Sequence, residues 1–256
     1  MRLNTIIIYL FVGVFLMSCS SDSDNDNGNV DPNNPKAGNQ LPLGSSANDL
    51  LSDQNFSNLA IEIAVDDNVS VSNSALIDLE EFLEARTFKT NITITQRTIE
   101  SPEMSPYSNS EIVSIEDNNR TLYNTEDTIA VFILYLSGQS ENDEGNSVTL
   151  GTAYRNTSLV LYKETIDNAG QPLNTPSVSE IESATLQHEF AHLFGLVDIG
   201  TEAQTPHVDP DSQGHCNVED CLMIASIEFA SGMIGMNSVP SLDPQCINDL
   251  QANGGR

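Results

Sequence analysis

The chain has 256 residues, 37 of them acidic and 9 basic, giving a formal charge of −28. So acidic a surface repels phosphate backbones, which excludes nucleic acid as a natural partner; it reads instead as a strongly solvated exterior. Apolar residues make up 39% of the sequence, enough for the core of one domain or two closely joined lobes, and there is no tryptophan.

The first residues are a targeting segment. Arg2 supplies the positive start, and Ile6 to Met17 is an apolar run too short and too early to span a membrane in the mature protein. The run closes on Leu16-Met17-Ser18-Cys19, which resembles a bacterial lipobox. That resemblance implies a signal peptide over 1–18, a lipidated N-terminal Cys19, and a membrane held through acyl chains. Residues 19–56 read as a disordered acidic tether, opening in Ser, Asp, Asn, Pro and Gly that cannot build a core. Its acidic start is similar to the tethers of lipoproteins on the outside of Gram-negative cells, which implies an outer-membrane or cell-surface location. Asp22, Asp24 and Asp26 echo a calcium loop, but the glycine falls one place late and no closing glutamate follows. Ca2+ therefore has no motif behind it.

The folded part is expected over 57–256. Leu59 to Val65 reads as a strand, and Ser74 to Phe88 places Leu76, Leu79, Phe82 and Leu83 at helical spacing. Asn91 to Ile99 is a second strand; Pro102 and Pro106 mark a loop, and a helix is expected from about Ser110 to Tyr123. Ile129 to Leu136 is apolar throughout, as a central strand covered on both faces should be. After an acidic loop come two shorter strands, Val148 to Tyr154 and Ser158 to Tyr162. The next helix starts near Val178, where Ser177 and Glu180 form a capping box, and stops at Gly195. The tail carries one or two helices, about Ile224 to Gly235 and Pro244 to Ala252. This order predicts an α+β fold: a twisted sheet with helices packed on it.

The chemistry concentrates on that late helix. His188-Glu189-Phe190-Ala191-His192 is H-E-x-x-H, and positions i and i+4 of a helix share a face. Two imidazoles can then bind one ion while the adjacent carboxylate reaches a metal-activated water. Together with Gly195 and the downstream Met223, the motif resembles the metzincin zinc peptidases. The resemblance covers roughly residues 57–236, with its specific motifs confined to 188–223. It implies a mixed sheet of about five strands with backing helices, an active-site helix and a small, mostly helical C-terminal subdomain. It also implies one catalytic Zn2+ on His188 and His192, Glu189 as general base, a Met-turn at Met223, and a peptide or protein substrate. The strand signal near Val148 to Tyr154 is weaker than elsewhere, as an edge strand's would be, and the substrate is expected to lie extended along it.

The third ligand has two candidates. Asp198 stands three residues after Gly195, where snapalysin-like enzymes carry aspartate. His215 opens His215-Cys216-x4-Cys221-x-Met223, which resembles the ligand-to-Met-turn segment of archaemetzincins. Imidazole is the commoner ligand and the spacing to the methionine is kept, so His215 is preferred and Asp198 is the alternative. His207 reads as a loop histidine. The chain lacks the C-x-x-C that completes a second, four-cysteine zinc site in archaemetzincins. For an exported protein a Cys216–Cys221 disulfide is then the expectation, with Cys246 either competing for a partner or staying free. Ala225 stands where some metzincins carry an oxyanion-binding tyrosine, so any such group comes from elsewhere. The sequence reads as a monomeric, membrane-anchored zinc endopeptidase. Two rivals share the motif: a zinc hydrolase of other amides or esters, and a surface-binding lipoprotein with a structural zinc.

Overall fold

The computed structural model describes residues 34–144, 148–170, 176–225 and 239–256. The signal segment, Cys19 and nearly all of the helix expected from Ile224 to Gly235 lie outside these. In chain order the elements are α1 (Ala47–Leu51), β1 (Asn58–Asp66), α2 (Asn73–Arg86), β2 (Asn91–Ile99), α3 (Asn109–Asn119), β3 (Thr128–Leu136), β4 (Gly151–Arg155), β5 (Ser158–Tyr162), α4 (Lys163–Ala169), α5 (Val178–Leu193) and α6 (Pro244–Ala252). The strands form one five-stranded sheet in the order β2-β1-β3-β5-β4. All pairs are parallel except β4 with β5, so β4 is an antiparallel edge.

Side chains alternate across a strand, and β3 uses both faces. Ile129, Val131, Ile133 and Tyr135 join the larger core under α2 and α5, while Phe132, Leu134 and Leu136 join a second core with Ile112 and Ile115 of α3. That double burial is why the strand is apolar from Ile129 to Leu136. Helix α5 is buried from Ile181 to Leu193 and begins at the predicted capping box, with the Ser177 side chain accepting from the Glu180 amide. Helix α4 was not anticipated: seven residues offer too short a window for helical periodicity. Among the described residues no helix is long and apolar enough to cross a membrane.

The expected tether is corrected at its C-terminal end. Residues 34–56 are packed onto the domain rather than free: Leu50 and Leu51 are fully buried and Phe56 nearly so. Buried amides fasten the stretch before them. Asn39 Nδ2 donates to Asn124 Oδ1 (2.8 Å) and the Ala130 carbonyl (2.9 Å), and its Oδ1 accepts from the Asn124 amide (2.9 Å). Asn156 is also buried; its Oδ1 accepts from Leu41 N (3.0 Å), and its Nδ2 donates to Gly38 O (2.8 Å) and Ser46 Oγ (2.7 Å). A carboxamide carries donor and acceptor together, so it pairs with backbone as another strand would. The composition that looks like a linker is here the fastening. Lys89 completes it, donating to the carbonyls of Asp49, Ser52 and Phe56.

Candidate metal centre

Helix α5 presents His188 and His192 on one face beneath edge strand β4. The Leu222 carbonyl lies 2.7 Å from His188 Nδ1 and can only accept, so Nδ1 carries the proton and Nε2 turns inward as an acceptor. His188 Nε2 and His192 Nε2 stand 3.1 Å apart. Two nitrogens about 2.0–2.1 Å from one tetrahedral ion would be separated by about 3.3 Å.

Gly195, with φ of 70°, ends the helix. A Cβ there would meet the Thr201 amide nitrogen at 2.8 Å and the Ile199 oxygen at 2.9 Å, so the turn requires glycine. The segment Leu196 to Gly214 loops out and returns through a bridge between Val208 and Cys216. It delivers His215, whose ring centroid lies 5.4 Å from that of His188 and 5.3 Å from that of His192. Ser212 Oγ engages His215 Nδ1 at 2.9 Å, which fixes the orientation of the ring. Donor atoms of these three buried histidines all lie within 4.8 Å of one another, as one cation requires. Asp198 is not in this group. Val197 and Asp198 both adopt positive φ (58° and 66°), and the Asp198 residue is exposed.

Glu189 is almost fully buried beside the histidines, and its Oε2 accepts from the Ala153 amide of β4 at 2.7 Å. The strand approaches so closely that a Cβ on Gly151 would lie 2.7 Å from Glu189 Cγ. A cleft of about 360 Å³ opens here between β4 and the loop after α5, bounded by Glu189, His192 and His215. Met223 is fully buried immediately after the residue whose carbonyl holds His188.

A second cluster lies behind that turn. Cys216, Cys221, Cys246 and Asp243, all buried, bring their ligand atoms within 4.8 Å of one another. The expected Cys216–Cys221 disulfide is corrected: all three cysteines are free thiols. Cys221 Sγ and Cys246 Sγ are 3.8 Å apart, the separation of about 3.8 Å that two sulfurs on one tetrahedral zinc would have and well beyond a covalent S–S bond. Cys216 Sγ lies 3.3 Å from Asp243 Oδ2. The amides of Val218 and Met223 point at Cys216 and Cys221 sulfurs (3.4 and 3.3 Å), the arrangement that suits thiolates. Burial pushes the Cys216 thiol up to about 12, so a bound cation is what would keep it ionised. The expectation of a single zinc site is therefore too small by one candidate group. Asp243-Pro244-Gln245-Cys246 is D-x-x-C, and treating aspartate as a zinc ligand on a par with cysteine would have found it. His207 is buried beside this cluster, its Nδ1 on the Thr205 carbonyl (2.9 Å) and its Nε2 near Asp249 Oδ2 (3.2 Å) and Cys246 Sγ (3.7 Å).

No protein-family model and no curated protein matches the chain. Among solved structures it is similar to an archaemetzincin from Methanopyrus kandleri, at 16% identity and a TM-score of 0.50, over 77% of this chain and 96% of that one. It also matches a zinc-dependent peptidase from Methanocorpusculum labreanum (13% identity, TM-score 0.47, covering 74% and 99% of the two chains). A third match is metalloproteinase-II from Bacteroides fragilis (14% identity, TM-score 0.41, covering 84% and 56%). The fold is thus the mixed α/β, five-stranded architecture with backing helices found in archaemetzincin-type peptidases.

Proposed function

We propose that the protein is a zinc-dependent endopeptidase in which His188, His192 and His215 hold the catalytic ion and Glu189 is the general base. The observation that carries this is the convergence of three buried histidines beside a carboxylate tied to the edge strand of the sheet. Zinc, when bound, supplies a Lewis acid that polarises the scissile carbonyl and acidifies water. Glu189 takes the proton from the attacking water and hands it to the leaving amine. Leu222 and Ser212 fix the imidazole orientations through the Nδ1 atoms of His188 and His215. Strand β4 offers backbone groups to an extended peptide, so that substrate adds to the sheet edge. Glu189→Ala should lose about two to four orders of magnitude in hydrolysis of a generic protein substrate while zinc content is unchanged. Full activity in that variant, or chelator-resistant activity in the wild type, overturns the reading.

The Cys216, Cys221, Asp243 and Cys246 group holds a second, structural ion in this proposal. Outside the described residues, Cys19 is the lipid attachment point of a protein facing outward from a Gram-negative outer membrane. A Cys19→Ser protein should lose the mass of the acyl chains and leave the membrane fraction; retention there overturns the anchoring.

A further inference from the structure

The stretch before the domain does more than fasten itself to the surface: it reaches the cleft. Leu43 lines the same cavity as Glu189, His192 and His215, and so does Ile199 from the loop after α5. Both placements are enforced by backbone. Gly44 and Gly200 cross at positive φ (78° and 109°), so close that a Cβ on Gly44 would meet the Ile199 oxygen at 1.6 Å and one on Gly200 would meet the Gly44 oxygen at 2.7 Å. No side chain fits at either position, so the two segments lie backbone on backbone. On the other side of Ile199, Gly214 leaves the space its side chain fills: a Cβ there would meet Ile199 Cδ1 at 2.6 Å and His192 Cε1 at 3.9 Å. Ile199 is thereby packed beside a zinc-site histidine. Behind Leu43 the chain is held by the buried Asn156, whose carboxamide grips Leu41 and Ser46 on either side of it.

We propose that Leu43 and Ile199 form an apolar subsite that selects a large aliphatic or aromatic residue next to the scissile bond. The inference rests on the peptidase reading above. Two half-buried apolar side chains face a cleft in a molecule of charge −28. An apolar substrate side chain gains by leaving water there, whereas an acidic one meets both an apolar wall and a repulsive field. The wall also makes the segment before the first strand part of the enzyme's substrate-binding machinery.

The test is cleavage profiling of the zinc-loaded mature chain on a peptide library varied on both sides of the cut, with wild type, Leu43→Ser and Ile199→Ser compared. Wild type should prefer Leu, Ile or Phe at one flanking position. Each substitution should lower kcat/KM for those peptides roughly tenfold or more while changing Ser or Gly peptides far less, and Leu43→Met should restore the preference. Superimposable profiles for wild type and both serine variants overturn the subsite. A second arm measures calorimetric binding of a leucine-containing and a serine-containing peptide to Glu189→Gln protein with Leu43 intact or changed to Ser. If wild type cleaves nothing, yet the leucine peptide binds more tightly and loses that advantage with Leu43→Ser, the peptidase reading falls and the subsite stands. Equal binding of the two peptides with Leu43 intact overturns the subsite whatever the cleavage assay gives.

Discussion

At the scale of single residues, the decisive contrast is Asp198 against His215. Both satisfy the rule that zinc takes nitrogen or carboxylate oxygen, so donor chemistry leaves the choice open. Backbone conformation separates them: two successive positive-φ residues accompany Asp198's exposed position, and the looped-out segment brings His215 back beside the helix. Positive φ in a valine and an aspartate is uncommon and leaves no mark in a sequence, which is why Asp198 stood as the alternative to the preferred His215. His215→Ala should therefore weaken zinc binding at this centre by more than the roughly hundredfold upper range seen for losing an outer-shell partner, while Asp198→Ala stays near wild type. Competitive titration against a chelator of known affinity reads both, and the opposite ranking removes His215 from the ligand set. The placement of His188, Glu189 and His192 together on one helix was legible at once, because i to i+4 geometry is local.

At the scale of elements, legibility followed the range of the interactions. Helix α5 and strand β3 were readable because a capping box and an unbroken apolar run are properties of adjacent residues. The N-terminal stretch was not, because its partners Asn124, Ala130, Asn156 and Lys89 lie scores of positions away and its composition is that of a linker. Lys89→Met would leave buried carbonyls of Ser52 and Phe56 without their donor, a loss of about 1–3 kcal/mol for each group left unsatisfied. Denaturant unfolding should register that as a lower midpoint with little change in slope; an unchanged midpoint would mean that the lysine does not fasten this stretch. The C-terminal cysteine cluster is also nonlocal, joining the turn at Met223 to α6. Metal analysis of the purified chain should give two zinc ions, falling to one in Cys246→Ser with the histidine centre still loaded. One zinc in both proteins would remove the second site.

At the scale of the whole molecule, the large negative charge and the buried carboxylates pull in opposite directions as pH falls. Surface carboxylates repel one another, so their first protonations relieve the compact state. Glu62 and Asp66 behave differently. Burial by itself would push the Glu62 carboxyl up, but donors from Leu122, Arg97 and Thr121 together outweigh it and hold the group below 4.5. Asp66 is likewise raised by burial and, more strongly, lowered by Ser137, Asn68 and Ser101, to below 3.8. A carboxyl whose folded value is depressed binds its proton more readily in the unfolded chain, so stability rises with pH across that interval. The contribution is present in full above the unfolded values and is lost as pH drops through the folded ones. Stability should thus be nearly flat from neutrality to about pH 5 and fall steeply below about pH 4.5, rather than declining evenly with net charge. Glu62→Gln isolates the effect: it keeps the shape, removes the ionised acceptor, and should cost about 2 kcal/mol at pH 7 while making the acid limb of the stability curve shallower. Thermal unfolding of both proteins across that range decides it, since parallel curves would mean that the carboxylate held by Thr121 and Leu122 does not set the acid limit.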